Sequence, residues 1–181
     1  MGSDPAVQSS EDEEAIARYR ARYGEGPFLA ADAVVRSSDG CILLIRRSKA
    51  PGRGLLALPG GFVERDETFL ETAVRELGEE TAIHVAGSHA IRFLAELKPR
   101  KEAIFDAPNR DPRARIVSVA FYFRLAHAAH ALPVKAMSDA AAAEWVTIKG
   151  EMTAGLFFAD HFRILRHFGL VPVPGKGLQS G

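Results

Sequence analysis

At 181 residues, with 47% apolar and 25% charged residues, the chain suits one domain with a full core. Its 23 basic and 23 acidic residues cancel, which argues against polymeric nucleic acid and against an anionic membrane surface as partners. No apolar run approaches the length of a spanning helix, the polar and acidic N-terminus is no signal peptide, and a lone cysteine, Cys41, cannot form an intrachain disulfide, so a cytoplasmic protein is expected.

In chain order, residues 11–23 predict a short amphipathic helix ended by Gly24 and Gly26. This helix belongs to an N-terminal extension, 1–27, ahead of a single domain over 28–170 and a flexible Pro- and Gly-rich tail over 171–181. Residues 28–35 and 41–47 predict strands joined at Ser38-Asp39-Gly40 as a hairpin. A loop over 49–54 follows. Mixed apolar and polar residues over 83–97 predict one or two strands, and 98–115, rich in Pro, Asp and Arg, predicts a loop. The β-branched and aromatic run 116–125 is the clearest strand. Residues 126–143 are alanine-rich with high helical propensity, interrupted by Pro133. A short strand over 144–148 surrounds Trp145, and 156–168 predicts an amphipathic helix with Phe158, Phe162, Leu165 and Phe168 near one stripe. Strands flanked by a few helices indicate an α+β class, or a mixed sheet between helices.

The chemistry concentrates between Leu58 and Ile83. Gly60 and Gly61 open the stretch, and Thr68 with Glu71 forms a capping box that starts a helix there. Leu70, Ala73, Val74 and Leu77 form its apolar stripe, while Glu76, Glu79 and Glu80 crowd a different face. Repulsion among three carboxylates becomes coordination if a hard cation such as Mg²⁺ sits among them. A solvated acidic face is the plain alternative.

From Gly61 onward the stretch resembles the Nudix box, G-x(5)-E-x(7)-R-E-U-x-E-E-x-G-U with U aliphatic. Gly61, Glu67, Arg75, Glu76, Leu77, Glu79, Glu80 and Ile83 match it at the right intervals. Ala82 stands where the family has glycine, at a helix end where a left-handed residue is wanted. Outside the box, residues 28–168 resemble the Nudix domain of bifunctional nicotinamide-mononucleotide adenylyltransferase/ADP-ribose pyrophosphatases and the related ADP-ribose-sensing regulators. Leu56, Ala136, Met137 and the run from Arg113 to Val117 depart from that branch.

The resemblance implies a Nudix-type α/β/α sandwich with a mixed sheet. It implies that Glu76 and Glu80 bind metal, that Glu79 is shared between metal and water, and that the Gly60 carbonyl completes a Mg²⁺ site, with Mn²⁺ as a substitute. Arg75 and Glu67 would pair and hold the glutamates in register. The general base is open between Glu79, Asp139 and Glu144. Glu64 is close enough in sequence to reach the metal, whereas Glu71 caps the helix. For the substrate, Phe105 is a candidate to stack on a base, against a core position of equal weight. Arg47, Arg110, Arg113 and Arg115 are candidates to meet phosphates. His161 and His167 read as packing or surface residues. The expected partner is a small-molecule nucleotide, with a homodimer among the assemblies considered. The leading activity is Mg²⁺-dependent hydrolysis of ADP-ribose to AMP and ribose 5-phosphate. The alternatives are a pyrophosphatase for a nucleoside triphosphate, a dinucleoside polyphosphate or NADH, and a non-hydrolysing ADP-ribose sensor.

Overall fold

The computed structural model describes residues 9–84, 90–138, 140–148 and 152–171. Asp139 and the tail beyond Val171 lie outside the described residues. The elements run α1 (Ser10–Tyr23), β1 (Phe28–Arg36), β2 (Ile42–Arg47), β3 (Leu56–Ala57), β4 (Gly60–Phe62), α2 (Phe69–Thr81), α3 (Ala90–Ala95), β5 (Lys101–Phe105), β6 (Ile116–Arg124), β7 (Ala140–Val146) and α4 (His161–His167). Single 3-10 turns occupy Ala129–Ala131 and Ala154–Leu156.

β1 is the central strand. It is buried from Ala30 to Val35, as expected of a strand covered on both faces. β6 runs parallel to it from Phe28↔Ile116 to Arg36↔Arg124, and β5 lies antiparallel beyond β6. The other edge of β1 is divided. Ala30, Ala31 and Asp32 pair with Phe62, Gly61 and Gly60 of β4, while Arg36 meets Ile42 of β2. The expected hairpin therefore shrinks to one register pair, because β4 takes the first half of the edge. β2 in turn lies between β3 and β7, antiparallel to both.

Alternating side chains divide the core into two layers, as the pleat requires. Val34, Ile42, Leu44, Ala120 and Tyr122 point to one face and pack with Ile164, Leu165 and Phe168 of the α4 region. Ala33, Val35, Leu43, Phe121 and Phe123 point to the other and pack with Ala73 and Leu77 of α2. The mixed sheet thus lies between helices, as the sequence predicted.

Several local expectations fail where tertiary contacts outweigh propensity. Residues 90–95 are helical, not a strand, and β5 arises inside the predicted loop by pairing with β6. The alanine run at 140–143 is the start of a strand, since it fills the edge of β2 despite its helical propensity. The last helix starts only at His161.

At α2 the local chemistry holds. Thr68 Oγ1 accepts the Glu71 N–H at 3.2 Å, and Glu71 Oε2 accepts the Thr68 N–H at 2.8 Å. Gly78 has a packing reason: a Cβ there would lie 2.6 Å from Leu94 Cδ1 of α3. Ala82 caps the helix in the left-handed region, with φ 45° and ψ 29°, and its N–H reaches the Gly78 carbonyl. Ala82→Gly is therefore expected to raise unfolding stability by about 1 kcal/mol in urea, by relieving the Cβ penalty. A neutral or destabilising change would show that this cap is not strained.

Candidate active site

The two arms of the divided sheet, α2, the loop before β6, α1 and the start of α4 enclose a cleft of about 580 Å³. α2 buries Ala73 and Leu77 against the sheet, which leaves its neighbouring face, with Glu76, Glu79 and Glu80, on the cleft. Gly60 and Gly61 bring backbone close to these acids. The Gly60 N–H donates to Glu80 Oε2 at 3.0 Å, and a Cβ on Gly61 would overlap the Glu76 carboxylate.

Arg75 ties the box together. Its Nε and Nη2 donate to the two oxygens of Glu67 at 2.6 and 3.0 Å. Its Nη1 donates to Glu76 Oε1 at 2.8 Å and Glu79 Oε2 at 3.3 Å, and Nη2 also reaches the Phe62 carbonyl at 3.2 Å. The guanidinium holds Glu67 down to about 2, well below the usual carboxylate range. Glu76 is pushed up by burial in spite of Arg75, and Glu80 is pushed up to about 8, chiefly by burial.

The opposite wall carries arginines that are already paired. Arg110 forms two hydrogen bonds to Asp160, at 3.1 and 2.7 Å, and Arg113 forms two to Asp111, at 3.0 and 2.8 Å. Arg47 donates to the Pro51 carbonyl at 2.9 Å and lies 4.0 Å over the Phe158 ring. The carboxylates lining the cleft are Asp32, Glu76, Glu79, Glu80 and Asp111, against the cations Arg47, Lys49, Arg110 and Arg113. A diphosphate entering this cleft would meet acids interleaved with the cations.

That balance bears on a metal. Among the described residues, no group of three or more His, Cys, Asp or Glu side chains is drawn together as a ready cage. Gly60 meets Glu80 through its N–H. The donor chemistry nevertheless fits a hard divalent cation. Glu76 and Glu80 are oxygen donors side by side on the cleft, and Glu80 is 7% exposed and accepts the Gly60 N–H. Its pKa is raised because burial outweighs the Gly60 N–H and the nearby Arg47 charge.

The remaining sequence candidates divide. Arg47, Arg110 and Arg113 line the cleft. Arg115 does not: it donates to the Asp106 carbonyl and lines a separate groove beside α1. Phe105 does not either. It is 8% exposed, sits in the core and meets the His167 ring edge-on at 5.4 Å, because β5 turns it toward the α4 layer. Phe105→Leu should therefore leave the Michaelis constant for a cleft-bound substrate unchanged while costing about 1 kcal/mol of stability. A raised Michaelis constant in a folded variant would return Phe105 to the cleft. Glu64 uses its N–H to bond Glu67 Oε2 and does not line the cleft. Glu144 pairs with Arg46 at 3.0 Å outside it, which leaves Glu79 as the described base candidate on the cleft.

Sequence reasoning missed several contributors, Asp111 and Lys49 among them. Asp32 is an acid inside an apolar strand, a readable signal of a buried role; it accepts the Ser118 Oγ–H at 2.5 Å, and burial raises its pKa. Ala15 and Tyr19 bring α1 into the cleft wall, held there by Asp12, which accepts the Gly52 N–H at 3.0 Å. Nothing local in the α1 sequence marks that contact. His161 also lines the cleft instead of only packing.

A mixed sheet between helices, with a box helix presenting glutamates beside a glycine turn, is the architecture of a NUDIX domain. The NUDIX domain profile matches residues 26–168, and the chain belongs to the Nudix hydrolases. It is 33% identical over 142 residues to an ADP-ribose pyrophosphatase of Methanocaldococcus jannaschii, covering 78% of this chain and 73% of that protein. It is 28% identical to the ADPR-responsive transcriptional repressor NtrR of Acinetobacter baylyi over 88% of this chain, but spans 60% of the repressor. A solved bifunctional NMN adenylyltransferase/ADP-ribose pyrophosphatase from Francisella tularensis, complexed with AMP and a Mn ion, superposes with a TM-score of 0.75 at 28% identity. That match covers 87% of this chain and 46% of the Francisella chain. Among the described residues, no helix is long and apolar enough to cross a membrane.

Proposed function

We propose that the protein hydrolyses ADP-ribose to AMP and ribose 5-phosphate with Mg²⁺, for which Mn²⁺ can substitute. The observation that carries this reading is that Glu76, Glu79 and Glu80 of the box open on the same cleft as Arg47, Arg110 and Arg113. The likeness to an archaeal ADP-ribose pyrophosphatase supports the choice of substrate.

In this reading Glu76 and Glu80 hold the metal, with Glu79 shared between metal and water. The metal supplies neutralisation of phosphate charge and a lowered pKa for bound water. Two of the cleft arginines, Arg110 and Arg113, are already engaged by Asp160 and Asp111. Arg75 and Glu67 act as positioning residues that fix the direction of Glu76 and Glu79. Arg47 and Arg113 face the diphosphate, and Glu79, about half exposed, accepts the proton of the attacking water.

The test is a substrate panel with Mg²⁺: ADP-ribose, NADH, a dinucleoside polyphosphate and nucleoside triphosphates, with release of AMP, orthophosphate and pyrophosphate followed separately. Preferential release of AMP from ADP-ribose is expected. Faster turnover of another member would reassign the substrate. ADP-ribose binding without turnover would favour a sensor, the role named for the Acinetobacter relative.

A further inference from the structure

One side chain of the cleft outside the box presents a hydrogen whose position is set by the backbone. His161 opens α4, and its Nδ1 accepts the Leu58 N–H at 2.8 Å. A ring nitrogen that accepts carries no proton, so the neutral imidazole bears its hydrogen on Nε2. Burial holds the ring neutral, with its pKa lowered to about 4.

Nε2 makes no hydrogen bond among the described residues. Yet no buried side-chain nitrogen or oxygen there lacks a partner. The Nε2–H is therefore not sealed in the core; it opens on the cleft that His161 lines. A packing role alone would leave that hydrogen covered by apolar side chains or bonded within the protein.

The surroundings indicate what it meets. Leu58 leads directly into the Gly60 turn beside the box acids. Phe158 lies 6.1 Å from His161, ring to ring, and sits under the Arg47 guanidinium. The cations of this wall are engaged by acids or by backbone, as Arg110 with Asp160 and Arg47 with Pro51. An uncharged donor fixed between these groups matches an acceptor oxygen, and the densest acceptors on a nucleoside-diphosphate sugar are its non-bridging phosphate oxygens.

We propose that the Nε2–H of His161 donates a hydrogen bond to a non-bridging oxygen of the substrate diphosphate, which makes His161 a substrate-binding residue. This rests on the nucleoside-diphosphate reading of the cleft. His161→Leu removes both ring nitrogens, whereas His161→Gln offers an oxygen to the Leu58 N–H and an N–H to the substrate.

The experiment measures ADP-ribose affinity by calorimetry with Ca²⁺, and turnover with Mg²⁺, for the wild type and both variants, alongside their melting temperatures. His161→Leu should bind ADP-ribose roughly tenfold or more weakly, as loss of a hydrogen bond to a charged group predicts, and His161→Gln should recover most of it. In the wild type, imidazole ¹⁵N spectra should show Nδ1 unprotonated and Nε2 protonated, and ADP-ribose should move the Nε2–H proton downfield. This spectral arm needs no variant, so it decides the matter if His161→Leu fails to fold. Unchanged affinity in a folded His161→Leu, or an Nε2–H signal indifferent to bound ADP-ribose, overturns the proposal while the nucleotide reading stands. Failure of the wild type to bind any nucleoside-diphosphate sugar overturns that reading, and this proposal with it.

Discussion

Glu80→Gln is expected to lower hydrolysis at saturating Mg²⁺ by about a hundred- to thousandfold, the usual worth of about 2.7–4 kcal/mol of electrostatic stabilisation in a transition state. The substitution preserves shape, and the amide oxygen can still accept the Gly60 N–H that Glu80 accepts at 3.0 Å. What it removes is one anionic ligand from a site that relies on few. Without metal the stability effect has the opposite sign. Glu80 is raised from 4.5 to about 8, so between those pH values the folded protein holds a proton that the unfolded chain has released. Stability from this group is thus fully present below pH 4.5 and is lost as pH rises through 8. The metal-free variant should lack this decline and melt no lower than the wild type at pH 8. Adding Mg²⁺ should stabilise the wild type and leave the variant almost unmoved. Full turnover in Glu80→Gln would remove it from the metal site, and a wild type with the same metal-free pH profile as the variant would remove the burial argument.

Arg75→Met is the second large effect. Its guanidinium serves three carboxylates, Glu67, Glu76 and Glu79, together with the Phe62 carbonyl, and the side chain is only 23% exposed. Methionine keeps much of the stem but leaves three acids facing one another. The expected cost is about 2–4 kcal/mol, between that of a surface pair and a fully buried one. Loss of a residue that orients metal ligands typically lowers metal affinity or activity by about 10–100-fold. Arg75→Lys should recover charge but not the two-pronged grip on Glu67, and so should restore stability only in part. The check is urea unfolding together with a Mg²⁺ titration of activity. A stable Arg75→Met enzyme with an unchanged Mg²⁺ requirement would show that the glutamates orient themselves.

The sequence alone determined the local parts of this protein. The pairing of Arg75 with Glu67 and the left-handed residue at Ala82 were implied by the resemblance to the Nudix box, while the Thr68–Glu71 capping box was legible from spacing alone. The apolar runs of β1, β2 and β6 were legible for the same reason, and with them the mixed sheet between helices. Only the tertiary structure decided which distant groups share the cleft. Phe105 was one residue type that suited two environments, and the register of β5 on β6 sent it to the core. The strand at 140–143 exists because β2 offered an open edge to residues that would form helix in isolation. Tyr19 and His161 reach the cleft through contacts that span much of the chain, Asp12 with Gly52 and His161 with Leu58. Such contacts leave no periodicity behind, since their geometry comes from closing the fold and not from the spacing of neighbours.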